Sequence, residues 1–134
     1  MQEEIESIAL AVREHWELDL SPISNLQLTL EENGIVITGF DTVDRKIAAF
    51  SQRTLIDDGN VFFIAVAQGE KSTGRIFFDM AHELGHIFLH PWSESLDLIS
   101  KEEFKSRENQ ANRFASAFLL PKESFLQEIQ AYPT

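Results

Sequence analysis

The segment His82-Glu83-Leu84-Gly85-His86 sets two imidazoles four residues apart with a carboxylate between them. On a helix, residues i and i+4 stack one turn apart on the same face, so both rings can reach one ion. Zinc suits two neutral imidazoles, and a catalytic site adds a third protein ligand while keeping one position open for water. Glu83, next to the first histidine, would lie beside that water and take its proton. The competing account is an ordinary helix that happens to carry two histidines and a glutamate. At average residue usage the three fixed positions arise by chance in on the order of a few per thousand chains of this length, so a metal site is the stronger account.

The third ligand is harder to place. His90 lies four residues beyond His86, but His82 and His90 are then about 12 Å apart along the helix axis. Ligand atoms held at ~2.1 Å from one zinc lie only a few ångströms apart, so His90 reads as a helix-end or cleft-lining residue. The metzincin pattern, with a glycine turn and a distant third histidine, is absent. Glu94 and Asp97 fall in a loop, and Glu102 and Glu103 open a helix, where the dipole favours acids for its own reasons. Glu108 sits mid-helix, with Ala111, Asn112 and Ala115 following on a face small enough for close packing. Asn112, one turn on, can accept a hydrogen bond from a ligand imidazole and fix its tautomer. On these grounds Glu108 stands evenly between a ligand and a solvated surface glutamate.

The elements that must position these residues follow from periodicity. Ile5, Ile8, Ala9, Val12 and Trp16 form one helical stripe. Ser21-Pro22 then reads as an N-cap with proline at N1, opening a second helix that runs through Leu26 and Leu30 to a stop at Asn33-Gly34. Three β-branched or aromatic runs follow, at 35–37, 46–50 and 61–66, separated by turn formers at 41–45 and 57–60. They predict a small, mostly antiparallel sheet of three strands. Ser72 caps the next helix, whose buried stripe is Phe77, Met80, Ala81, Leu84 and Phe88, and Pro91 ends it. Residues 92–101 read as a loop, 102–120 as a further helix stopped by Pro121, and 122–130 as a short final helix. The order is α+β.

Composition narrows the setting. A chain of 134 residues is one domain by length, and 43% apolar with 25% charged residues is ordinary globular composition. Cysteine is absent, which removes disulfides, thiolate zinc sites and cysteine nucleophiles together and suits a reducing cytosol. A net charge of −11 argues against direct nucleic-acid binding. The acidic N-terminus is not a targeting signal, and the longest apolar run, Val61 to Ala67, is far below the ~20 residues needed to span a membrane. The expectation is a cytoplasmic domain.

The whole pattern resembles one family. His-Glu-Leu-Gly-His-Ile-Phe-Leu-His at 82–90, then Glu108-Asn-Gln-Ala-Asn-Arg-Phe-Ala115 and Phe-Leu-Leu-Pro121, is similar to the ImmA/IrrE metallopeptidases. So are Arg13 with Trp16, Pro-Ile-x-Asn-Leu at 22–26, Leu30-Glu31 before Gly34, Phe50-Ser51, and Arg75 with Phe78. The resemblance runs from about residue 3 to about residue 125. It implies a zincin-like fold, Zn2+ on His82, His86 and Glu108, and Glu83 as catalytic base; Asn112 and His90, from their places on the two helices, are the candidates to back the ligands. It also implies a regulatory endopeptidase whose partner is a protein substrate, a DNA-binding helix-turn-helix repressor of the Xre type that it cleaves or inactivates. The chain departs from the family in having Ala48-Ala49 where a glycine often stands, and in a short tail after Leu120. The expected organisation is a single metallopeptidase domain over residues 1–134, either free-standing or the C-terminal part of a longer helix-turn-helix regulator.

Two further expectations concern substrate. It would add as an extended strand along a sheet edge, with 46–52 as the run that offers one, although core packing is the plainer account of that run. His15, His90 and Tyr132 are the available oxyanion donors, none with a spacing argument. The alternative function is a non-catalytic zinc-binding sensing or docking domain of a transcription regulator, which would have no need of Glu83 beside an open position.

Overall fold

In a computed structural model of the chain, the described residues are 2–41, 48–69, 71–90 and 99–121. Their order is α1 (Gln2–His15), α2 (Leu26–Glu32), β1 (Val36–Phe40), β2 (Ala49–Ile56), β3 (Gly59–Ala67), α3 (Thr73–Leu89) and α4 (Lys101–Leu119). This is the α+β architecture expected of a zincin-like domain. The three strands form one sheet in the order β1-β3-β2. It is mixed: β2 and β3 form an antiparallel hairpin, and β1 joins β3 in parallel. The hairpin turns at Asp57-Asp58, both with positive φ (48° and 64°), the conformation whose twist matches that of the flanking strands.

β2 starts close to the predicted run but extends on through Ser51, Gln52, Arg53 and Thr54 to Ile56. Those polar residues hid it, because an edge strand need bury only part of its side chains. The second helix also begins later than Ser21-Pro22 suggests. Its cap is Asn25, whose side chain accepts from the Leu28 N–H. Residues 19–23 are held out of the helix: Asp19 Oδ1 accepts from Ser21 N–H, and Ile23 N–H donates to the Leu119 carbonyl. The predicted stop is in place, since Gly34 has φ +86° and its N–H closes on the Glu31 carbonyl.

α3 lies across the sheet, and α4 lies along α3 and α1. The core between them is built on Leu26, Leu30, Ile64, Val66, Met80, Leu84, Phe114 and Phe118, all fully buried. Phe88 departs from the predicted buried stripe: it is 44% exposed and meets Trp16 edge-on at the surface seam. One contact governs how closely the two long helices approach. A Cβ on Gly85 would lie 3.1 Å from Phe114 Cβ and 3.2 Å from the Ala111 Cα and carbonyl oxygen. Glycine here, opposite alanine, lets α4 come near enough for its side chains to reach the histidines of α3. Ser72 and Ser100 cap the two helices by accepting from Arg75 and Glu103 N–H. Pro91, Glu94, Asp97, Tyr132 and the predicted helix at 122–130 lie outside the described residues, as do residues 46–47 of the predicted second strand. Among the described residues no helix is long and apolar enough to cross a membrane.

Candidate metal centre

α3 is apolar behind and polar in front. Met80, Ala81 and Leu84 are buried in the core, while His82 and His86, one turn apart, face α4. Glu108 projects from α4 between them: its Oε2 lies 2.5 Å from His82 Nε2 and 3.0 Å from His86 Nε2. The two Nε2 atoms are 3.1 Å apart. One ligand atom from each of the three residues falls within 4.8 Å of the others. Around a tetrahedral zinc at ~2.1 Å, neighbouring ligand atoms stand roughly 3.4 Å apart, so the three donors need open by only a few tenths of an ångström to about one ångström.

The donor chemistry supports a cation at this point. Asn112 Oδ1 lies 2.7 Å from His82 Nδ1, and a carbonyl oxygen only accepts, so that nitrogen carries a proton. A neutral His82 then offers Glu108 a bare nitrogen lone pair at 2.5 Å. Two acceptors at that distance require a positive charge between them, a proton or a metal ion. Two imidazoles and a carboxylate fit zinc or a neighbouring divalent transition metal.

Glu83 is buried beside this triad and accepts a hydrogen bond from Ser51 Oγ at 2.9 Å. Burial raises its carboxyl above the usual range, against the charges of His86 and His82 and the Ser51 hydroxyl, which pull it down. The histidine hydrogen bonds, first from His82 and then from His86, hold Glu108 well below the ordinary carboxylate range despite its partial burial. His82 is subject to burial, which lowers it, but the Glu108 hydrogen bond and charge, with Asn112 and Glu83, outweigh that and raise it. A cleft of about 280 Å³ opens onto the site between α3, α4 and the start of β2, with Ala48, Ala49, Arg75, Glu83, His82 and Glu108 among its walls. The two alanines that depart from the resembled family therefore stand in the cleft wall. Larger hollows along α1 and α4 do not reach Glu83, His82 or His86.

His90 is not among the converging donors. It caps α3, with one ring nitrogen 2.9 Å from His86 Nδ1 and the other 2.8 Å from Gln110 Oε1. His15, at the exposed end of α1, does not line the cleft. Three residues around the site were not singled out from sequence. Ser51 and Gln110 lie inside the blocks that carry the resemblance, but nothing in their spacing assigns them a partner. Asp79, buried one turn before Glu83, binds Lys71 at 3.0 Å and Arg75 at 3.2 Å, and Lys71 also reaches the Ala48 carbonyl at 3.5 Å. The cluster ties α3 to the start of β2; the i, i+4 spacing of Arg75 and Asp79 was its one legible signal.

No curated protein matches the chain. A Mycobacterium tuberculosis transcriptional regulator of known structure is similar in fold, with a TM-score of 0.63 and 22% identity. The match covers 96% of this chain and 39% of that one, so the chain spans well under half of the regulator's length. The family model for the IrrE N-terminal-like domain, Peptidase_M78, matches residues 30–134, a span that holds both motif histidines, Glu83 and Glu108, and the chain belongs to that family.

Proposed function

We propose that this protein is a zinc-dependent endopeptidase of the ImmA/IrrE type, with His82, His86 and Glu108 as metal ligands and Glu83 as the catalytic base. The observation that carries the reading is the convergence of two Nε2 atoms and one carboxylate oxygen beside a buried carboxylate, at the floor of a cleft. Zinc held there supplies Lewis acidity and a water acidic enough to lose its proton near neutral pH.

The chain's own residues do the rest. Asn112 keeps the His82 proton on Nδ1 and so leaves Nε2 for the ion. Ser51 holds one Glu83 oxygen, leaving the other to take a proton from the attacking water. As the water oxygen bonds to the scissile carbonyl carbon and the C–N bond breaks, the same proton passes from Glu83 to the leaving nitrogen. A carboxyl raised by burial is suited to both halves of that exchange. Among the described residues β2 is an edge strand, and its outer side is where an extended substrate segment adds, although Ala49 also packs against the core.

The substrate in this reading is a DNA-binding repressor of the helix-turn-helix type, met in the cytoplasm by residues 1–134 acting as one domain. The regulatory role draws support from the fold shared with a transcriptional regulator, which holds this architecture as part of a longer chain. The test pairs metal analysis with cleavage of purified repressor. Wild type and Glu83→Gln each carry about one zinc per chain, and cleavage by the variant falls about 10²–10⁴-fold. Zinc in both, with the same effect on the repressor from both, would replace this reading by a sensing or docking domain.

A further inference from the structure

The ligand His86 is backed by two more residues, and their order sets which of its nitrogens faces the site. Gln110 comes from α4 and presents Oε1 to His90 Nε2 at 2.8 Å. Its amide nitrogen lies on the other side, 3.4 Å from Ser106 Oγ. An amide oxygen only accepts, so His90 carries its proton on Nε2 and, as a neutral ring, keeps a lone pair on Nδ1. That lone pair lies 2.9 Å from His86 Nδ1, which must therefore be the protonated nitrogen of His86. In a neutral ring, the form that binds a metal, the Nε2 of His86 is then left with its lone pair, 3.0 Å from Glu108 Oε2 and 3.1 Å from His82 Nε2.

We propose that Gln110, acting through His90, is the positioning residue that turns the Nε2 lone pair of His86 toward His82 and Glu108 and so sets the affinity of the site for a divalent transition metal. The inference rests on the metal reading of the site and adds to it a second amide of α4. Asn112 orients one ligand directly, and Gln110 orients the other through an intermediate ring. This gives a use to His90, which is not among the three converging donors. Backing groups of this kind change metal affinity about 10–100-fold when removed.

The experiment measures zinc affinity on the full chain, by competition with a chromophoric chelator, for wild type, Gln110→Leu, His90→Leu and the double variant. Gln110→Leu weakens zinc about 10–100-fold, and the double variant binds no more weakly than His90→Leu alone, because Gln110 acts only through that ring. Long-range 1H–15N correlation on the zinc-loaded wild type finds the proton on Nε2 of His90 and on Nδ1 of His86, a readout that a merely structural role for Gln110 would not fix. Unchanged affinity in Gln110→Leu, losses that multiply in the double variant, or a His90 proton on Nδ1 would each overturn the proposal while leaving the metal site standing. A wild type that takes up no zinc would overturn the metal reading and this inference with it. If Gln110→Leu does not fold, the wild-type proton positions alone decide.

Discussion

Two polar clusters are fastened to α4, one at its middle and one at its last turn, and they obey opposite rules. At the last turn, Arg13 of α1 is 2% exposed and donates to the carbonyls of Phe118 (2.6 Å), Ser21 (2.7 Å) and Asp19. Donors meet acceptors, and the cluster needs nothing further to be satisfied except at Nε, which is buried without a hydrogen-bond partner. At the middle, acceptors meet acceptors: two imidazole nitrogens and a carboxylate crowd one point and are compatible only with a cation there. The first arrangement fastens α1, the loop at 19–21 and the end of α4 together. The second stores no such self-sufficiency, and its stability belongs to whatever ion it binds. Complementary burial reads as architecture, and convergent like groups read as a binding site.

The largest effect that separates the two clusters is metal-dependent. With free zinc at about a thousand times its dissociation constant, the folded state gains about 4 kcal/mol. Chemical denaturation with and without zinc finds this increment in the wild type and loses it in Glu108→Ala. Persistence of the increment in that variant would break the comparison, since the ion would then sit elsewhere. Arg13→Met comes next. It strands three carbonyls, at least one of them deeply buried, and costs about 3 kcal/mol of stability. The cost is the same with and without zinc, because none of its partners is a ligand.

How much of this was legible in the sequence follows the same division. His82, Glu83 and His86 lie within one helical turn, so local spacing was enough to bring them together. The caps at Ser72 and the stop at Asn33-Gly34 are likewise local. The resemblance pointed to Glu108, whereas spacing alone left it undecided, because its meeting with α3 depends on Gly85 clearing room for α4. The Asn25 cap was hidden by the better-looking Ser21-Pro22, since what holds 19–23 out of the helix is bonding to residues outside the segment, from the Arg13 guanidinium and to the Leu119 carbonyl. The parallel pairing of β1 with β3 was equally beyond reach. It is set by which sheet neighbour each strand finds, and the hydrophobic pattern of a short strand does not encode that.

Gly85→Ala tests the distance between the clusters rather than either alone. The added methyl meets Ala111 backbone and the Phe114 Cβ, neither of which is a flexible tip, so α4 must shift. The expected loss is about 1–3 kcal/mol, measured by urea denaturation. Zinc affinity falls as well, because the proposed ligands sit on the two helices being separated, while the bonds of Arg13 at the far end of α4 remain. A variant that loses stability but keeps its zinc affinity would show that Gly85 serves the core alone.

The smallest and most discriminating effect is on pH. In the metal-free protein His82 is raised by Glu108, so its contribution is complete below the unfolded value of about 6.5 and is lost as pH climbs through the higher folded value. Glu108 is lowered, so its contribution is present above about 4.3 and is lost only as pH falls toward its depressed folded value. The pair therefore favours the folded state most between roughly pH 4.3 and 6.5. Buried Glu83, which is raised, adds to the decline as pH increases. Zinc competes with the proton on His82 Nε2, so its stabilisation grows with pH instead, by up to about 1.4 kcal/mol per unit for each proton displaced, and levels off once His82 is neutral. Denaturation curves with and without zinc should thus diverge from pH 6 to 8.5, while the cost of Arg13→Met stays constant because the guanidinium does not titrate there. Parallel curves would mean that the crowded nitrogens and carboxylate are held by a proton alone, and that both clusters are architecture.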